Sequence, residues 1–322
     1  MIPRFPRIGF GAAAIGGLFA PVGDADALAA VQAAWEGGVR YFDTAPHYGV
    51  GMSEERLGKF LRECPRADFT VSTKVGRLLV PSEAPPPDGV EGFYGTPART
   101  RVRDYSRDGV RRSLEESLER LGLDRIDVAL IHDPDDHVEQ AIRTAYPALR
   151  ELRDQGVIGA IGVGMNQTPA LARFVRETDL DCVLVAGRYT LLDRSGADEL
   201  LPLCADRGVA VIAGGVFNSG LLADPRPDAT YDYGVATRPV LDRALRMKEI
   251  CERHGTPLRA AAIRFTGAHP AVTTVLLGGR SAAEVTDGLR MAAHLIPAGL
   301  WDDLHSAGLL DADLPIPGTV HA

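Results

Sequence analysis

Lysine is scarce in this chain. Only Lys59, Lys74 and Lys248 stand among 35 basic residues, and 43 acidic ones leave a formal charge of −8. The arginines are scattered rather than gathered into a stripe, which argues against a nucleic-acid partner. Cysteine is sparse too. Cys64, Cys182, Cys204 and Cys251 lie far apart and form no Cys-x-x-Cys, so buried thiols are expected and nothing calls for an oxidising compartment. No apolar run approaches ~18 residues, and the start MIPRFPRIGFG lacks the apolar stretch of a signal peptide. The expectation is a cytoplasmic protein without a membrane partner. A Gly-x-Gly-x-x-Gly after the first strand is also missing, since Gly9, Gly11, Gly16 and Gly17 fit that fingerprint poorly. With no internal repeat and no break in composition, residues 1–322 are expected to form one domain.

What the chain does have is 45% hydrophobic residues and a regular alternation of strand-like and helix-like stretches. Strands are expected at 8–10, 39–43, 69–74, 126–132, 158–163, 182–189, 209–213 and 272–277. Helices are expected at 24–37, 53–62, 106–121, 138–155, 169–176, 198–207, 239–253, 257–268, 281–294 and 297–309, with Ser53 read as an N-cap. Strands separated by helices are parallel, and eight of them point to a (β/α)8 barrel with extra C-terminal helices and its site at the C-terminal strand ends. A doubly wound open sheet is the rival. Two long βα loops interrupt the pattern, at 76–104 and 217–237. The proline cluster in the first, PSEAPPPDG, is read as preventing helix and strand alike. Both loops are candidate walls of a ligand site.

The candidate chemistry sits at three successive strand ends. Asp43 ends the second expected strand, Tyr48 follows on a glycine-flanked loop, Lys74 ends the third strand and His132 the fourth. A phenol has an ordinary pKa near ~10, and a cationic neighbour lowers it. Lys74 is therefore expected to acidify Tyr48, Asp43 to keep Lys74 charged, and His132 to orient a substrate oxygen. Such a set would move a proton during carbonyl–alcohol interconversion. Each residue taken alone has a plainer reading as packing, cap or surface charge; it is their convergence that argues for a site. His47, Arg77 and Asp133 are candidate partners for substrate hydroxyls. A competing reading takes His132, Asp133, Asp135, Asp136 and His137 as ligands of a metal-dependent barrel hydrolase or isomerase, although Lys74 would be an unwelcome charge beside a metal. A third keeps fold and cofactor without turnover, as a redox-sensing subunit.

The segments FDTAPHYGVGMSEERLG, STKVGR and ALIHDPDD resemble the aldo-keto reductases, and the likeness runs from IGFGAAAIGG to LLGGRSAAEV. The resemblance implies a barrel enzyme using NADP or NAD, with Tyr48, Lys74, Asp43 and His132 as catalytic tetrad. GVGMNQ, AGRYTLLD and GGVFNSGLL look most like a bacterial branch that oxidises free aldoses, of the L-fucose or D-threo-aldose type, at the C1 hemiacetal to the lactone. Related branches act on L-galactose or pyridoxal, and simple aldehydes are a further alternative. By the same resemblance Asn166 and Tyr189 are expected near the nicotinamide. An aromatic residue common in the family falls here on Gly214 or Gly215. The turn carrying Gly214, Gly215, Asn218, Gly220 and Leu222 is expected to wrap the pyrophosphate. Leu277-Gly278-Gly279-Arg280-Ser281 ends a strand and opens a helix, which favours an anion there. Arg280 is a candidate for a 2′-phosphate and Glu284 for the adenosine edge. A monomer or homodimer is expected.

Overall fold

In the computed structural model, which describes residues 5–311 and 313–317, eight parallel strands close into a barrel. The expected unit of residues 1–322 thus reaches past the described residues at its ends. The barrel strands are β1 (Ile8–Gly11), β2 (Tyr41–Asp43), β3 (Thr70–Val75), β6 (Ile126–His132), β7 (Ile158–Met165), β8 (Cys182–Ala186), β9 (Ala210–Gly214) and β12 (Val272–Leu277). Going round, their order is β1-β12-β9-β8-β7-β6-β3-β2, and β2 returns to β1. Closure excludes the open-sheet alternative.

Helices α1 (Asp24–Glu36), α2 (Met52–Leu61), α3 (Arg107–Leu121), α4 (Val138–Gln140), α5 (Tyr146–Asp154), α6 (Thr168–Glu177) and α7 (Leu200–Arg207) connect the strands. Two helices, α8 (Arg238–Arg253) and α9 (Leu258–Thr266), precede β12; α10 (Ala282–Ala292) and α11 (Ala298–Ser306) follow it. No described helix is long and apolar enough to cross a membrane.

Side chains on a strand alternate between two faces, and here the alternation decides what enters the barrel. Tyr41, Val128, Leu130, Ala160, Cys182, Leu184, Ile212 and Leu276 form a buried cluster separate from the larger one beneath the helices. Phe5 packs edge-on against Tyr41, with ring centroids 5.4 Å apart. Two residues further along each strand, the same face carries Asp43, His132, Ala186, Gly214 and Gly278, and Lys74 belongs to this layer on β3. Register aligns these groups: Asp43 pairs with Ser72, Lys74 with Leu130, and His132 with Gly164.

Three expectations change. The segment 76–104 does hold strand: β4 (Arg77–Pro81) pairs antiparallel with β5 (Arg99–Arg103), because Pro81 only ends β4, the other prolines lie in the connection, and RTRVR keeps a period of two. The second loop contains a hairpin of β10 (Thr230–Tyr231) and β11 (Gly234–Val235), turned by Asp232 and Tyr233 at φ 50° and 65°. Ser53 is no N-cap. Gly51 takes that position, and the Ser53 hydroxyl instead donates to the Ala12 carbonyl at 2.8 Å and meets Thr44 Oγ1 at 2.9 Å.

Candidate active site

The loop after β2 carries Tyr48 and is held by close backbone packing. Gly49 has φ 60°, and a side chain there would collide with the Gly16 carbonyl. Behind the loop, the buried Glu54 accepts from Thr73 Oγ1 and Arg120 Nε, both at 2.6 Å. The β6 end is fixed from below, where the Tyr105 hydroxyl lies 2.7 Å from the His132 carbonyl and 2.8 Å from that of Asp133. Gly76, at φ 104°, lies against the Tyr105 ring where no side chain fits. These anchors bring Asp43, Tyr48, Lys74 and His132 to one cavity of about 540 Å³.

Lys74 is 1% exposed and donates to Asp43 Oδ2 at 2.7 Å and to the Thr44 carbonyl at 2.9 Å. Asp43 Oδ1 accepts from Ser72 Oγ at 2.7 Å, and Ser72 in turn accepts from the Tyr41 hydroxyl at 2.9 Å. Both carboxylate oxygens are therefore occupied. The ammonium lies 4.6 Å from the Tyr48 ring centre. Burial disfavours charge on Lys74, but Asp43 and Tyr48 outweigh it and hold the pKa above the ordinary lysine range.

The sign expected for Tyr48 is corrected. Burial dominates and pushes the phenol up to about 12, with Lys74 pulling against it. Lys74 limits the rise rather than producing a net fall. Tyr48 is thus a protonated donor throughout neutral pH in the ligand-free protein. His132 is held well below the ordinary imidazole range by burial and then by Arg77 and Lys74, so it faces the cavity neutral. Its Nδ1 is buried without a partner.

His47, Arg77 and Asp133 also line the cavity and contact one another. Arg77 donates to His47 Nδ1 at 2.8 Å and to Asp133 Oδ2 at 2.7 Å. A guanidinium can only donate, so that His47 nitrogen accepts. Burial, then the Arg77 charge, holds His47 well below its usual pKa. Burial raises the Asp133 carboxyl and Arg77 opposes the rise. The Tyr48 ring lies over Phe93, centroids 6.1 Å apart.

Among the expected cofactor residues, Asn166, Gly214, Gly215 and Gly278 line the cavity. Tyr189 does not. Gly187 turns the chain at φ 70°, so Ala186 and Arg188 face the cavity while Tyr189 stacks on Phe265 at 5.4 Å. Leu222 is fully buried in the core. The Asn218 amide is consumed internally, accepting from Thr190 Oγ1 and donating to the Gly187 carbonyl, and its neighbour Ser219 lines the cavity instead. Gly220, Gly279, Arg280, Ser281 and Glu284 lie outside the lining. Ser281 caps α10, and Arg280 is paired with Glu284 at 3.0 Å.

Sequence reasoning passed over Phe19, Glu91 and Tyr233, which also line the cavity. The Asp-Tyr-Gly turn was the available signal for Tyr233. Phe19 and Glu91 had none, since each sits at positive φ in an irregular loop.

The Aldo/keto reductase family matches residues 7–307. The chain belongs to the aldo-keto reductases. Like other aldo-keto reductases it is an NAD(P)-dependent oxidoreductase acting on a small molecule. It is 47% identical to a D-threo-aldose 1-dehydrogenase from Pseudomonas sp over 311 residues, covering 95% of this chain and 94% of that one. It is 40% identical to a pyridoxal 4-dehydrogenase from Microbacterium luteolum, covering 94% of each. Among solved structures, the glycerol dehydrogenase from Gluconobacter oxydans superposes with a TM-score of 0.76 at 25% identity, covering 98% of this chain and 95% of that one. Membership in this family replaces the metal-hydrolase reading. Among the described residues no group of three or more His, Cys, Asp or Glu side chains is arranged to hold a metal ion.

The cavity suits the nicotinamide end of an NAD(P). Gly164 and Gly214 leave the β7–β9 side open, since even a Cβ there would meet nothing closer than 3.5 Å, and Asn166 lines the same space.

Proposed function

We propose that this aldo-keto reductase oxidises the C1 hydroxyl of a free cyclic aldose to the lactone. The observation that carries the reading is the convergence of Tyr48, Lys74, Asp43 and His132 at one cavity wall. The 47% identity to a D-threo-aldose 1-dehydrogenase supports the substrate class. A bound nicotinamide would supply the hydride acceptor. In the proposed roles Tyr48 first gives up its proton to solvent, Lys74 with Asp43 stabilising the phenolate left behind; that phenolate then takes the C1 hydroxyl proton, and neutral His132 orients the sugar oxygen. His47, Arg77 and Asp133 hold further hydroxyls.

Asn166, Gly214, Gly215, Ser219 and Gly278 would hold the nicotinamide side, with Gly279, Arg280 and Ser281 nearer the anionic part. The Arg280 guanidinium is already neutralised by Glu284, whose carboxylate also accepts from the Arg280 backbone N–H at 2.9 Å. A 2′-phosphate would have to displace that carboxylate, so NAD is the proposed coenzyme.

Initial rates with L-fucose, D-arabinose, L-galactose, pyridoxal and simple aldehydes, each with both coenzymes, test the reading. The highest kcat/KM should fall on an aldose with NAD. A preference for pyridoxal or a non-sugar aldehyde would sink the substrate assignment.

A further inference from the structure

Three cations line the cavity, and each is already answered. Lys74 pairs with Asp43 at 2.7 Å, Arg77 with Asp133 at 2.7 Å, and Arg188 with Asp232 at 2.8 Å. Two more lining carboxylates remain. Glu91 pairs with Arg101, which does not line the cavity, at 3.0 Å. Asp135 makes no ion pair among the described residues and is exposed at the rim. The two lining histidines are neutral. Every lining cation is thus committed, and with Glu91 answered by Arg101 one lining carboxylate, Asp135, stands unopposed at the rim.

The acid is not spread evenly. Asp133, Asp135 and Glu91 belong to the ends of β6 and the β4–β5 connection, beside Tyr48 and His132. The glycines of β9 and of the segment after β12 face them from the other side of the barrel, while Gly164 on β7 is the neighbour of His132. On this side Arg77 is 7% exposed, and its Nε, like His132 Nδ1, is buried with no hydrogen-bond partner. Phe93 adds an apolar face beside Tyr48. Hydroxyls can donate to these carboxylates, whereas an anion finds like charge and no uncommitted guanidinium.

We propose that this cavity selects neutral carbonyl and hemiacetal substrates and rejects those bearing a phosphate or carboxylate at the end away from the reacting carbon. The proposal deepens the aldose reading, but its charge argument holds for any carbonyl the enzyme accepts.

The test compares neutral and anionic partners in two pairs: D-arabinose with D-arabinose 5-phosphate in oxidation, and D-glyceraldehyde with its 3-phosphate in reduction. In each pair the neutral member should have a kcat/KM about 100-fold higher, expressed mainly in KM. Raising ionic strength from about 0.05 to 0.5 M should narrow the ratio several-fold, since exposed charges such as Asp135 are screened. Asp135→Lys should narrow it about ten-fold at low salt. Ratios within about three-fold of unity would overturn the proposal, as would a large ratio that ignores both salt and Asp135→Lys, which would mark exclusion by size. Discrimination in the glyceraldehyde pair without any aldose turnover would uphold the charge inference while removing the aldose reading. Aldose turnover with no discrimination would do the reverse.

Discussion

The two halves of the barrel mouth are built on opposite plans. Along β2, β3 and β6 the rim carries the buried Asp43, Lys74 and His132, and the first two are linked to each other and to Ser72, Tyr41 and Thr44 by hydrogen bonds of 2.7–2.9 Å. Along β7, β8 and β9 the corresponding positions are Gly164, Ala186 and Gly214, almost without side chains. One half fixes charged groups where water cannot screen them, and the other makes room. The contrast teaches that an inward-facing strand position has two uses, to present a group or to vacate a volume, and that this site needs both.

The comparison can be broken most severely at Tyr48. Tyr48→Phe should lower kcat about 10³-fold while coenzyme affinity, read by fluorescence titration, stays within two-fold. Equal losses in both would show that Tyr48 serves binding rather than proton transfer. Next in size is Lys74→Met, which strands the Asp43 carboxylate in the interior. Urea unfolding should show a loss of about 3–5 kcal/mol, and adding Asp43→Asn should recover part of it.

On the bare side the expected effect is smaller and of another kind. Gly214→Leu should weaken coenzyme binding about ten-fold by filling vacated volume, with little change in urea midpoint, because a Cβ meets nothing closer than 3.6 Å. A collapse of stability instead would place Gly214 with the packed core. The smallest effect is on pH. His47 and His132 have folded pKa values below the unfolded value near ~6.5, so the unfolded chain binds more protons in acid. Stability present above pH ~6.5 should fall as pH drops below it, by up to ~1.4 kcal/mol per unit for each histidine. His47→Gln should make the slope of urea stability between pH 6.5 and 5 shallower, and an unchanged slope would contradict the assignment.

Much of this was legible in the chain. Strand ends are marked by β-branched and apolar runs that stop at a polar residue, which is why Asp43, Lys74 and His132 could be placed before any coordinates. The eight-fold alternation was readable for the same reason. The β4–β5 hairpin was hidden by a proline cluster that ends β4 at Pro81 and otherwise lies in its connection. Tyr189 was misplaced because a single left-handed glycine, Gly187, resets which residues face inward, and no strand pattern continues beyond it. The sign of the Tyr48 shift was beyond reach. It depends on how deeply the hydroxyl is buried relative to its distance from Lys74, a three-dimensional balance that the chain order does not contain.

The unopposed carboxylate at the mouth has a bearing on what happens after turnover. On the proposed chemistry the released lactone takes up one water and opens to an aldonate and a proton. That aldonate carries the charge the rim repels, so it does not come back to compete with incoming sugar. Spontaneous ring opening outside the protein would then act as a ratchet, and the acids of the mouth, Asp135 foremost, would keep it from slipping.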